Sequence, residues 1–179
     1  MRWVLALAFS LLVLPDAKAQ LGVSAGTGAY LGRYQIGLSH PFDERHEVGL
    51  VYGRTPDELI GEIRQYSLEY GYTYWNLRSG PWLLQPMTIG FAATATDHGE
   101  FFFKSAGKYN DADYYDATLR RYMVRYAISA GRQLEDGESI WLRFNLSILD
   151  QGLQVLFNNG WRPALLDFMS PGFSLIYRF

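Results

Sequence analysis

The chain has 179 residues, no cysteine, and 16 Lys and Arg against 18 Asp and Glu, for a net charge of −2. Without thiols there is no disulfide framework and no thiolate metal site, and without a basic excess there is no electrostatic footprint for nucleic acid. Aromatic residues reach 16%, with 13 Tyr, 11 Phe and 5 Trp beside 18 Gly, a composition suited to aromatic girdles at two water–lipid interfaces and to tightly curved strands.

Residues 1–19 carry Arg2, an apolar run from Trp3 to Leu14, the breaker Pro15 and the triplet Ala17-Lys18-Ala19. This reads as a cleavable signal peptide, since the apolar run is too short for a spanning helix, and a mature chain would begin at Gln20. Its removal takes away two cations and one anion and moves the net charge to −3. Residues 20–179 are then one domain, enough for roughly eight strands of about ten residues with their connections.

Along that domain, side chains alternate with a period of two. A first strand is expected near 21–30. Then Tyr34, Ile36 and Leu38 oppose Arg33, Gln35 and Gly37. Val48, Leu50 and Tyr52 oppose Glu47, Gly49 and Gly53, with Val51 breaking the pattern. Tyr66, Leu68, Tyr70, Tyr72 and Tyr74 alternate with Gln65, Ser67, Glu69, Gly71 and Thr73, and Met87, Ile89, Phe91 and Ala93 oppose Thr88, Gly90, Ala92 and Thr94. Tyr122, Val124, Tyr126 and Ile128 oppose Arg121, Arg125 and Ser129. Ile140, Leu142, Phe144, Leu146 and Ile148 oppose Trp141, Arg143, Asn145 and Ser147. The last strand places Phe173, Leu175, Tyr177 and Phe179 opposite Ser174 and Arg178.

Alternation of this kind is the mark of strands with one apolar and one polar face. Eight of them predict an all-β fold, an eight-stranded antiparallel transmembrane β-barrel in a bacterial outer membrane, closed because lipid offers an open sheet edge no hydrogen-bond partner. Connections at 41–45, 77–82 and 132–138 are short and rich in turn formers, which assigns them to the periplasmic side. Those at 55–62, 97–118 and 150–170 are long and face outward, with Leu31-Gly32 as the one short outer link. In the last long connection Leu153, Leu156 and Phe157 share helical spacing, as do Leu165, Phe168 and Met169. Short amphipathic helices are therefore expected there, capping the barrel mouth or lying in the outer-leaflet interface in preference to docking a partner.

With the aromatic rows facing lipid, the interior receives Arg33, Glu47, Gln65, Glu69, Arg121, Arg125, Arg143 and Arg178. Unpaired charges in such an interior are too costly, so a pairing network filling the lumen is expected, with a narrow channel or small-ligand pocket as the alternative. A hydrolase would need a base. His40 and His46 flank a periplasmic turn, which leaves His98, beside Asp97 and with Ser105 in the same connection, as the candidate catalytic set at the outer end. Asp111, Asp113 and Asp116 read as a solvated acidic face and not a calcium loop, for the glycine and glutamate positions of such a loop are missing. No metal and no cofactor are expected.

Asn145-Leu146-Ser147 lies where the lipid A deacylase family, which this chain resembles in architecture, carries a His-x-Ser pair. Asn cannot take the proton of Ser147, and the resemblance therefore does not transfer that hydrolysis. The stretches Gly107 to Tyr109, Tyr114 to Leu119, and Ser147 through Phe168 to Phe179 resemble a family of small outer-membrane barrel proteins of Gram-negative bacteria. That resemblance implies fold and location and supplies no catalytic residues. The Phe-terminated strand, with apolar residues at 173, 175 and 177, also resembles the signal read by the outer-membrane assembly machinery. The expected partners are that machinery, outer-membrane lipids and lipopolysaccharide, with the barrel monomeric. The functional expectation is a noncatalytic envelope structural or surface-interaction protein, with a lipid A-modifying hydrolase or a narrow channel as rivals.

Overall fold

A computed structural model describes residues 20–57, 61–97, 120–159, 166 and 168–179. The expected signal peptide lies outside them. Among the described residues nine strands are formed: β1 Gly22–Gly28, β2 Tyr34–Pro41, β3 His46–Asp57, β4 Gly61–Thr73, β5 Leu77–Ser79, β6 Trp82–Thr96, β7 Arg120–Gln133, β8 Ser139–Leu149 and β9 Met169–Arg178. Each is antiparallel to its neighbours in the order β4-β3-β2-β1-β9-β8-β7-β6, and β4 pairs with β6 to close the ring. The short β5 continues the line of β4 along β6, since Thr73 pairs with Thr88 and Leu77 with Leu84. Nine elements thus make an eight-stranded barrel, as the alternation predicts.

Pro86 marks the one irregular place in β6. It has no N–H for the ladder, and the register to β7 shifts between Gln85 and Thr88. Tyr126 Oη donates to the Pro86 carbonyl at 3.0 Å, which gives that freed acceptor a partner.

The outward positions are apolar around the ring. Tyr34, Ile36 and Leu38 on β2, Tyr66 and Leu68 on β4, Leu142 on β8 and Phe173 and Leu175 on β9 are all more than half exposed. Neighbouring rings reinforce the belt, with Tyr52 and Tyr66 5.3 Å apart, Phe91 stacked on Tyr122 at 5.7 Å and Phe144 tilted against Phe173 at 5.1 Å. A contiguous apolar surface of this extent is far larger than soluble monomers leave in water.

At one end the connections are tight turns. In the first, Asp43 Oδ1 accepts the backbone N–H groups of Arg45 and His46, both at 2.7 Å. Those two donors favour the carboxylate and hold Asp43 below its ordinary pKa. Gly80-Pro81 links β5 to β6, and a single 3-10 turn, Glu135–Gly137, links β7 to β8.

The other end is organised differently, and the long connection expected there at 55–62 is replaced by strand pairing out to Asp57 and Gly61. The β1–β2 link takes positive φ at Gly28 (79°), Ala29 (55°), Tyr30 (59°) and Gly32 (114°), and it folds into the lumen. Ala29, Tyr30 and Leu31 are buried there with Ala92, Met123 and Leu149, and Val51 and Phe168 pack on the cluster. The short outer link expected from the sequence is short, but it is a plug, and Val51 breaks its strand's alternation because it faces this plug. Helix α1, Asp150–Asn159, begins where β8 ends, as the spacing of Leu153, Leu156 and Phe157 predicts, and leaves Phe157 83% exposed.

Candidate functional site

The polar faces of the strands meet in the lumen, and the network they build is the strongest concentration of chemistry among the described residues. Glu47, near the start of β3, is reached from across the barrel. Arg143 of β8 grips it in bidentate fashion, with Nη1 to Oε1 and Nη2 to Oε2 both 3.0 Å, and Arg178 of β9 bonds to Oε2 as well. Paired forks of this type are the strong form of guanidinium–carboxylate contact. Arg143 Nε also donates to Ser129 Oγ at 3.1 Å, tying β7 into the same cluster.

Trp141 forms the wall behind Arg178, whose guanidinium carbon lies 5.0 Å from the ring centroid. The indole is held flat over Gly131, its cross-strand partner, where a Cβ would come within 2.4 Å of the ring. Its Nε1 donates to Ser139 Oγ at 2.9 Å. Deeper in, Glu69 of β4 pairs with Arg125 of β7. Closer to the loop end, Arg121 lies 3.9 Å from Asp150, the first residue of α1. Among the described residues, four lumen arginines thus meet three carboxylates, and two of the four share Glu47.

Of the eight residues expected in the interior, seven are there. Gln65 is fully buried, but its work is to hold the plug: its Nε2 donates to the Tyr30 carbonyl at 3.1 Å, beside Gln35, whose Nε2 donates to the Gly32 carbonyl at 2.8 Å. Arg33 is the correction. It precedes β2, is exposed, and belongs to the rim of the barrel, where its backbone N–H donates to Thr55 Oγ1 at 2.9 Å. The period-two count reaches it, but the strand that would turn its side chain inward has not yet begun. Phe173, Leu175, Tyr177 and Phe179 all lie on the outward face.

The catalytic candidates are not assembled by what is described. Asp97 is exposed and occupied as a cap, its Oδ1 accepting the Arg64 backbone N–H at 2.8 Å, while His98, Ser105 and the Asp111 to Asp116 cluster lie outside the described residues. Ser147 and Asn145 point into the lumen and are buried. The side chains of His40 and His46 sit at the turn end, where His46 Nδ1 meets Tyr70 Oη at 2.6 Å. Sequence reasoning missed three participants. The plug carried a signal in Gly28 and Gly32 bracketing the three apolar residues Ala29, Tyr30 and Leu31, Trp141 one in being a lone aromatic on a polar face, and Asp150 none.

The lumen is well filled. Voids of about 40 and 30 Å³ lie beside Glu69, Arg125, Arg143 and Asn145, room for single waters and not for a ligand. At the turn end the strands rise above the network and form an open funnel of about 600 Å³, with Glu47 and Arg178 at its floor. No protein-family model matches the chain, and no curated protein does. Among solved structures, the crystal structure of the outer membrane enzyme PagL is similar, with a TM-score of 0.48 and 17% identity over 90% of this chain and 99% of that one.

Proposed function

We propose that the chain is a bacterial outer-membrane β-barrel with an envelope structural or surface-interaction role, whose specificity is carried by the loop end. The observation that carries this reading is the pairing of a ring-wide outward apolar belt with a packed interior: the belt suits hydrocarbon, and the ion-paired, plugged lumen suits a wall and not a conduit. The outward apolar row Phe173, Leu175 and Tyr177 of β9 serves as the assembly signal, and lipopolysaccharide and other outer-membrane lipids are the immediate partners.

The experiment is a lipid A profile by mass spectrometry from cells with and without the protein. The expected profile is unchanged. An altered acyl pattern that disappears with His98→Ala would replace this reading with the hydrolase. Planar-bilayer recordings of the purified barrel should be silent, and steady conductance would replace it with the channel.

A further inference from the structure

The outward face is not uniform around the barrel. In its loop-end half the outward positions of β3 and β4 are large, whereas those of β6 are small: Tyr66 pairs with Ala95 and Leu68 with Ala93. Beyond the alanines, Ala93 pairs with Tyr122 of β7. Small residues between large ones open an apolar depression beside Tyr66, Leu68 and Tyr122, which continues past Tyr52, Leu50 and Ile36 to Val23 and measures about 680 Å³ in all.

At the loop-side end of this groove stand Arg54 and Arg64, direct cross-strand partners. They lie two residues along β3 and β4 from Tyr52 and Tyr66, or about 7 Å. Like charges placed directly opposite destabilise a sheet, and this pair shares one carboxylate. Glu62 takes Arg54 through Nη2 and Arg64 through Nε, the latter at 3.0 Å. Both arginine side chains remain 57% exposed. Asp97, capping the Arg64 backbone N–H, brings the local charge to zero. The pair therefore offers no bulk attraction, but two outward guanidinium forks with more donors than Glu62 occupies.

We propose that groove and arginine pair form one site for an anionic bilayer lipid bearing a terminal phosphate monoester, with an acyl chain in the groove and the phosphate on Arg54 and Arg64. The inference rests on the membrane reading above. In a bilayer, hydrocarbon chains are what meets the belt, and lipid phosphate is the anion at the depth of a charged pair one pleat beyond an aromatic row.

The test reconstitutes the full chain into phosphatidylcholine vesicles containing a minor share of phosphatidic acid, then counts the lipids retained after mild detergent extraction by native mass spectrometry. Phosphatidic acid should be enriched over phosphatidylcholine roughly tenfold, the effect of one well-made charge-assisted contact. Arg54→Gln with Arg64→Gln should abolish the enrichment and leave phosphatidylcholine retention in place, and Ala93→Phe with Ala95→Phe should lower retention of both lipids. Equal retention of the two lipids by the unaltered protein overturns the proposal without recourse to variants. Loss of the enrichment in excess inorganic phosphate, with lipid still bound, would assign the arginines to free phosphate and overturn it too. Failure of the protein to float with vesicles and to show a heat-dependent gel shift is a separate outcome, which would overturn the membrane reading itself.

Discussion

Near the turn end the interior of the barrel is charged, with Glu47 gathering Arg143 and Arg178 below an open funnel. Near the loop end it is mostly apolar, with Ala29, Tyr30 and Leu31 inserted among Ala92, Met123 and Leu149 and the Arg121–Asp150 pair at the same end. The same closed sheet is thus filled by side chains reaching across at one end and by a piece of backbone at the other. Long arginines can bridge a lumen whose neighbouring strands carry Gly and Ser, and water in the funnel lowers the cost of bringing charge inside. A turn pushed inward brings unpaired peptide groups instead. Gln35 and Gln65 answer them by bonding the Gly32 and Tyr30 carbonyls, while the Ala29 N–H donates to the Pro171 carbonyl at 2.8 Å.

If the two ends are closed by different physics, they should fail differently. The largest effect is expected from Glu47→Ala, which leaves Arg143 and Arg178 in the lumen without their shared counter-ion. Removing one member of such a network costs about 3–5 kcal/mol, read as a lowered urea midpoint for the barrel in lipid vesicles. A loss under about 1 kcal/mol would mean that funnel water solvates the pair and that the network adds little. Met123→Ala should follow at about 2–3 kcal/mol, from lost burial and the cavity left under the plug. Its effect should add to that of Glu47→Ala in the double variant if the two clusters are independent; marked non-additivity would show that the lumen is one unit.

Gly53→Ala probes the plug from behind. A Cβ there would lie 1.5 Å from the Leu31 carbonyl oxygen, so the turn must move, at about 1–3 kcal/mol. Protease sensitivity should rise around residues 28–32 and stay unchanged at Glu47. Digestion that spares 28–32 would show that the turn is not held by this contact. The smallest effect concerns the turn end. Because the Arg45 and His46 amides depress the folded-state pKa of Asp43, its contribution to stability is complete above its ordinary 3.8 and fades as pH falls from there through the folded value. Asp43→Asn keeps an acceptor for both amides and should flatten that part of the acid-unfolding curve, which an unaltered curve would contradict.

Much of this arrangement is written in the chain. Within the strands, apart from the slip at Pro86, the two-residue alternation determines which residues face outward and which inward, because successive side chains of a pleated strand take opposite faces and a one-residue slip would put Arg125 and Arg143 on the apolar belt. The same alternation places Glu47, Glu69 and the four interior arginines in one lumen and predicts that they pair. It cannot say which pairs with which. Glu47 and Arg143 are 96 residues apart and four strands apart around the ring, so their meeting depends on closure and register, which no local pattern encodes. Tertiary structure also decided the direction of the β1–β2 link: Gly28 and Gly32 permit a tight turn, but whether it points outward or inward depends on the space left by Gly53, Ala92 and Val51 on other strands. Arg33 shows the same limit from the opposite side, a residue of inward parity that stays on the rim because the strand pairing with β3 starts one position later. Alternation fixes faces; only the closed ring fixes who stands across from whom.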